Sequence, residues 1–271
     1  MPPMSFSRAR RTVLASLALA FSLTTALSLH AADKPLRIGL GTSIGNKAVE
    51  IAAQQARKQG LEVELVEFSD WRTPNTAVAN GEVDVNYFQH RPFLENSNQQ
   101  AGLNLVPIAP GYTTVIGLYS KKVKSLAELR DGASIAVSAD PVNTGRALQF
   151  LQEIGLLQLK PGLGHKATVQ DITANPRKLR IVQLEGPQIA RAFDDVDAAA
   201  TYATFAKNGG LSAKGAIVFE KDSTPYAFQW VVRPDRKNDP RILQFISIYQ
   251  KSPEVRESLT TLYDGVIGFA W

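Results

Sequence analysis

Three stretches of this sequence hold residue types from which a reactive or ligand-holding site can be built. The first is Gly39-Leu-Gly41-Thr-Ser-Ile-Gly45, glycines flanking a serine at the end of an apolar run. As a dinucleotide loop its last glycine is wrongly spaced. As Gly-x-Ser-x-Gly it would be a nucleophile elbow with Ser43 as nucleophile, which needs a later acid and then a histidine. His165 is the sole histidine after His90, and it stands among glycines and lysines. A secreted serine hydrolase is therefore a minor alternative, beside a periplasmic scaffold with no transport role. The plainer expectation is a tight turn whose free amides, at a helix start, face a cleft and can hydrogen-bond a ligand. Metal chemistry has less to work with, because three histidines and no cysteine form no recognised ligand spacing. Asp194, Asp195 and Asp197 are explained by capping and solvation. No cofactor and no metal are expected, and no enzymatic activity.

The second stretch is Asn86-Tyr-Phe-Gln-His-Arg-Pro92, where two aromatics and a histidine close a predicted strand. It could present large amphipathic rings at a sheet edge, but composition alone favours a core strand with a polar exit. Further on, Asp140-Pro-Val-Asn-Thr-Gly-Arg146 combines a helix start with an arginine about a turn inside it. That arrangement suits a carboxylate, although Arg146 alone is as readily a surface ion pair.

The elements that must position these groups alternate between short apolar strands and helical segments, the α/β pattern. Leu36 to Leu40 predicts a strand. Asn46 to Gln59 predicts a helix, since Val49, Ala52, Ala53 and Ala56 share one face. Leu61, Val63 and Leu65 alternate with glutamates in a second strand, and Val83 to Phe88 forms a third, ahead of a polar helix from Arg91. An extended apolar stretch, Leu105 to Ser120, is broken by Pro107 and Pro110. Then the pattern restarts. Ser125 to Glu128 has capping-box spacing, Ser134 to Val137 is a strand, and Asp140-Pro141 caps and opens a helix. Strands at Leu179–Leu184, Ala198–Thr201 and Phe228–Val232 follow, and Ile242, Phe245, Ile246 and Tyr249 mark a last helix. The restart predicts one unit inserted into another: lobe I from 36–118 and 227–271, lobe II from 119–226, with crossings near Tyr119 and Pro225. Lobes joined by two strands can hinge around a ligand.

The first 31 residues are set apart from this fold. Arg8, Arg10 and Arg11 precede an apolar run from Val13 to Leu29, and Ala31-Ala32 then lead into Asp33-Lys34-Pro35. That is the layout of a cleaved signal peptide, cut near Ala31, and predicts a periplasmic protein. Its removal takes three arginines and no carboxylate, lowering the net charge from +5 to +2. No basic run with interleaved aromatics predicts nucleic-acid binding. With no cysteine, disulfides, a thiolate nucleophile and a lipid-carrying cysteine are excluded, so the chain is expected not to be lipid-anchored.

Taken together, the segments resemble the NlpA lipoprotein family, the methionine-type binding proteins of bacterial ABC importers, over essentially the whole exported chain. The resemblance rests on Val66-Glu-Phe-Ser-Asp-Trp71 with Pro74-Asn75, Gly81 to His90, Tyr119 to Leu126, and Asp140 to Leu148. Ala174 to Leu179, Leu184-Glu185, Asp194-Asp195 and Thr224-Pro-Tyr226 complete it. It implies a two-lobed periplasmic binding protein fold of type II, two sheet-and-helix lobes joined by two hinge strands. The implied ligand is a small amino-acid-like or organosulfur molecule. The implied partners are an ABC permease and its ATPase, served by a monomeric binding protein. Trp71, Phe88 and His90, with Tyr87 beside them, match the family's aromatic cage, and Arg146 matches the arginine that pairs with the ligand carboxylate. Two positions depart from the pattern. Tyr202 and Phe228 stand where methionine-binding members carry asparagines that hold the ligand's amino and carboxylate groups. Losing both amides disfavours a buried ammonium. The expectation is a ligand that keeps an anionic head for Arg146 but lacks the amine.

Overall fold

The computed structural model describes residues 34–271, so the predicted signal peptide lies outside the described residues. The chain opens with strand β1 (Leu36–Gly41), helix α1 (Asn46–Lys58), β2 (Val63–Phe68), α2 (Thr73–Asn80), β3 (Val85–His90), α3 (Arg91–Ala101) and β4 (Val106–Thr113). Next come β5 (Ile116–Tyr119), β6 (Ser134–Ser138), α4 (Pro141–Glu153), the two-stranded ribbon β7 (Gln158–Leu159) and β8 (Ile172–Ala174), and β9 (Arg180–Leu184). They are followed by α5 (Ile189–Ala192), β10 (Ala198–Tyr202), α6 (Ala203–Asn208), β11 (Val218–Phe219) and β12 (Ala227–Val232). Two helices, α7 (Pro240–Lys251) and α8 (Pro253–Leu262), and a short β13 (Gly268–Phe269) finish the chain. Among the described residues no helix is long and apolar enough to cross a membrane.

The strands form two separate sheets, in the orders β13-β4-β12-β3-β1-β2 and β11-β5-β10-β6-β9. In each, the strands joined through helices run parallel and the rest antiparallel: β1 pairs parallel with β2 and β3, β6 with β9 and β10. The fold is α/β with two lobes, as expected. Residues 114–115 carry the chain from the first sheet to the second, and residues 220–226 bring it back.

The first crossing comes earlier in the chain than Tyr119. The segment 116–118, placed with the first lobe on sequence, is the start of β5, and it pairs with β10 and β11 in the second sheet. The apolar run carries no break there. The transition is made by tertiary contacts, in which the Ile116 amide donates to the Glu220 carboxylate (2.7 Å) and the Glu220 amide donates to the Ile116 carbonyl (2.9 Å). The two crossings are thus bonded to each other.

Local chemistry explains most element starts. The Asp140 carboxylate accepts from the Asn143 amide (2.9 Å), capping α4, whose first residue is Pro141. Ser252 caps α8 by accepting from the Val255 amide (3.2 Å). Val255 and Leu259 are the buried residues of that helix. The stripe Ile242, Phe245, Ile246 and Tyr249 on α7 is buried as predicted. Ser125–Glu128 makes only a single 3-10 turn, Leu126–Glu128, held by Ser125 and the Lys124 amide donating to Glu128. The third strand begins two residues later than its apolar pattern, at Val85.

Candidate functional site

The carboxyl ends of strands from both sheets converge on one cavity, where open α/β sheets place their ligands. From the first sheet come the turn after β1 and the end of β3; from the second, the start of α4 and the end of β10. The cavity is small, about 40 Å³. Six of the seven predicted site residues line it, namely Trp71, Tyr87, Phe88, His90, Tyr202 and Phe228. Arg146 does not.

Trp71 is presented by a loop that Asp70 folds. The Asp70 carboxylate accepts from the amides of Arg72 (2.7 Å) and Thr73 (2.8 Å) and from the Thr73 hydroxyl (2.7 Å). The indole then reaches across to the second lobe, 5.8 Å from the Phe205 ring, and lies so close to Gly186 that any side chain there would collide with it. Phe88 and Phe93 meet edge to face at 5.8 Å. Phe228 is paired in register with His90 on β12 and β3, and its ring lies 4.9 Å from Tyr112. Tyr87 belongs as much to the core as to the cavity, stacked on Trp230 at 4.1 Å with its hydroxyl accepting from the Tyr112 amide (3.1 Å). Beneath this wall the side chains of Asn75, Asn86 and Gln89 hydrogen-bond one another, locking α2 to β3.

His90 ends β3 and caps α3. Its Nδ1 accepts from the Phe93 amide (3.2 Å), and because that amide can only donate, the ring proton sits on Nε2. Nε2 therefore donates to Asn143 Oδ1 (3.1 Å) across the cleft. Burial, and next the nearby Arg146 charge, push the His90 pKa down to about 3. The imidazole is neutral.

Arg146 has been taken over by the protein itself. The side chain is 2% exposed. Its Nε donates to Glu220 (3.0 Å), Nη2 to the other Glu220 oxygen and to the Thr114 carbonyl (3.0 Å), and Nη1 to the Tyr202 hydroxyl (3.1 Å). The Tyr226 ring covers one face, 3.7 Å from the guanidinium carbon. Tyr202 stands between this pair and the cavity, and its hydroxyl donates onward to Asn143 Oδ1 (2.6 Å). One chain of hydrogen bonds thus runs from His90 through Asn143 and Tyr202 to Arg146 and Glu220. The expectation that Arg146 faces an anionic ligand head meets a guanidinium already neutralised by Glu220 and screened by the Tyr202 phenol.

Ser43 lies in the cavity wall, but its hydroxyl is shared with Tyr112 (3.3 Å) and Tyr263 (3.1 Å) and accepts from the Gly45 amide (3.1 Å). These contacts brace the turn. Sequence reasoning missed Asn143, Thr114, Phe93, Phe205 and Glu220. Asn143 sits in the Asp140–Arg146 motif and Phe93 follows the aromatic run, so both were within reach. Thr114 and Glu220, at the two crossings, carry no pattern of their own.

A family model described as NlpA lipoprotein matches residues 36–271. The chain belongs to the NlpA lipoprotein family. Within the family, the D-methionine-binding lipoprotein MetQ of Escherichia coli (strain K12) is 40% identical over 243 residues, covering 88% of this chain and 89% of MetQ. Among solved structures, an ABC transporter, periplasmic substrate-binding protein from Coxiella burnetii is 40% identical with a TM-score of 0.82, covering 87% of this chain and 100% of that one. A nutrient binding protein from Burkholderia cenocepacia bound to methionine is 36% identical with a TM-score of 0.82 and the same coverage. These relatives are binding proteins by name. The word lipoprotein in the family and MetQ names runs against the expectation of no lipid anchor.

Proposed function

We propose that this protein is the periplasmic substrate-binding component of a bacterial ABC importer. It holds a small organosulfur or amino-acid-like ligand between its lobes and presents it, as a monomer, to a permease and its ATPase. The observation that carries this reading is the ring-walled cavity at the facing strand ends of two sheets joined by two crossings. Aromatic faces suit a polarizable sulfur, and the names of the Coxiella, Burkholderia and MetQ relatives support import of such a ligand. Export follows from residues 1–31 acting as a cleaved signal peptide. Trp71, Phe88, His90, Tyr202 and Phe228 grip the ligand, with Tyr87 behind them, and no step of the work is catalytic. Because the cavity is small and walled by both lobes, the lobes part at residues 114–115 and 220–226 to admit a ligand and close again over it. Solution scattering tests the reading: addition of the ligand released from the purified protein should shrink the radius of gyration. An unchanged radius, with no molecule released on denaturation, would remove its support.

A further inference from the structure

One contact across the cleft is shaped by a missing side chain. Trp71 belongs to the first lobe, yet its indole packs against the apolar core of the second, the one first-lobe ring so placed among the described residues. Phe205 stands 5.8 Å from it in tilted contact, and Phe93 of its own lobe meets it edge on at 6.2 Å. The six-membered ring lies on Gly186, which opens a 3-10 turn two residues past β9. A Cβ there would sit 2.6 Å from Cζ2 and 2.9 Å from Cζ3, and nearer still to Cη2. Ordinary carbon contacts are roughly 3.5–4.0 Å. Gly186 is buried and is not among the left-handed glycines, so its backbone conformation does not call for glycine. The indole does. The same ring is also a partition. Trp71 and Phe93 line both the inner cavity and an outer hollow of about 570 Å³, which takes in Asp140 and Glu185 from the second lobe.

We infer that Gly186 is a positioning residue for ligand capture: it is the seat into which Trp71 docks, and docking latches the lobes together and shuts the cavity from the outer cleft. The inference deepens the import reading, since it rests on a cleft that opens and closes. The loop folded by Asp70 carries the indole as an arm of the first lobe, so the lobes part only as the ring leaves Gly186. The fit constrains both partners. A larger residue at 186 lifts the indole, and a smaller ring at 71 tolerates the larger residue.

The chain has no cysteine, so spin labels can be placed at will on Gln100→Cys and Arg191→Cys, exposed positions on the first and second lobes. Pulsed electron resonance then gives the distance between the lobes in dialysed protein with no ligand added. Gly186→Ala should raise the ratio of long to short distances by about two- to tenfold, the worth of one aromatic contact. Trp71→Ala should open the cleft at least as far, whatever position 186 tolerates, and adding Gly186→Ala to it should change nothing more. Trp71→Phe in the Gly186→Ala chain should bring the short distance back, because the smaller ring leaves room for the methyl. An unchanged distribution in Gly186→Ala or in Trp71→Ala overturns the inference. So does an equal shift from Gly186→Ala in the Trp71→Ala background, or no recovery with Trp71→Phe, since the methyl would then act within its own lobe. None of these readings uses a ligand, so failure of the latch leaves the import reading standing, and that reading fails separately, on a protein that releases no molecule and keeps its radius.

Discussion

The two walls of the cleft are built from different side chains and put to opposite uses. The wall from the first sheet is a set of rings, Trp71, Phe88, Phe93 and Phe228, in edge-on or tilted contact and turned toward the cavity. The wall from the second lobe presents Asn143 and Tyr202, with Arg146 and Glu220 behind them, and its polar atoms are consumed by one another. Apolar surface does not become saturated by touching other apolar surface, so the ring wall keeps its appetite for a ligand. Hydrogen-bonding groups have a fixed number of partners, and once these are internal the wall offers little beyond shape. The same residue type can therefore mark a binding contact in one chain and a structural tie in another. Arg146 belongs to the second kind: it binds both inter-sheet crossings, through the Thr114 carbonyl and Glu220, to helix α4.

The sharpest way to break this contrast is to remove the counter-ion. Glu220→Ala leaves a guanidinium buried and unpaired, and should lower the unfolding free energy by about 3–5 kcal/mol, measured by urea denaturation. A loss below about 1 kcal/mol would mean that Arg146 is not committed to Glu220.

A second test uses pH at the seam between the walls. His90 has a native pKa of about 3 against an ordinary value of 6.5, so the unfolded chain binds more protons than the native one between those values. The contribution of neutral His90 is complete above the ordinary value and fades as pH falls toward the native one. Its slope is about 1.4 kcal/mol per pH unit. From pH 6 to pH 4 stability should fall by about 2–3 kcal/mol, and His90→Gln should flatten that part of the profile. The groups facing the ring that set its titration are Arg146 and, more weakly, His165. An identical profile in wild type and variant would show that His90 is not buried neutral.

The smallest effect belongs to the control. Arg130 also pairs with a carboxylate, Asp197 at 3.4 Å, but its side chain is 71% exposed against 2% for Arg146. Arg130→Ala should change stability by less than about 0.5 kcal/mol. A cost approaching that of the Glu220 variant would show that burial is not what separates the two ion pairs.

Local periodicity and capping placed β1 to β3, β6, β9, β10 and β12 and helices α1, α3, α4 and α7, because apolar stripes and the Asp140-Pro141 start act within a few residues of themselves. Helices α2, α5 and α6 and the short strands β7, β8, β11 and β13 were not read. The ring wall became legible through the family resemblance, because Tyr87, Phe88 and His90 by themselves read as the end of a core strand. Helix α8 was not read at all, although Ser252-Pro253 offers a cap and a first-turn proline. Nor was the change of sheet at residues 114–115, which depends on a hydrogen bond between Ile116 and Glu220, far apart in the chain. On its own, the sequence determined an α/β chain with a second unit inserted in the first and an aromatic cleft. Only the folded structure decided what Arg146 does, because its partner lies 74 residues away in a short segment with no pattern. A charge is paired by whatever the fold brings within hydrogen-bond reach, and that distance is not written in any local stretch of residues.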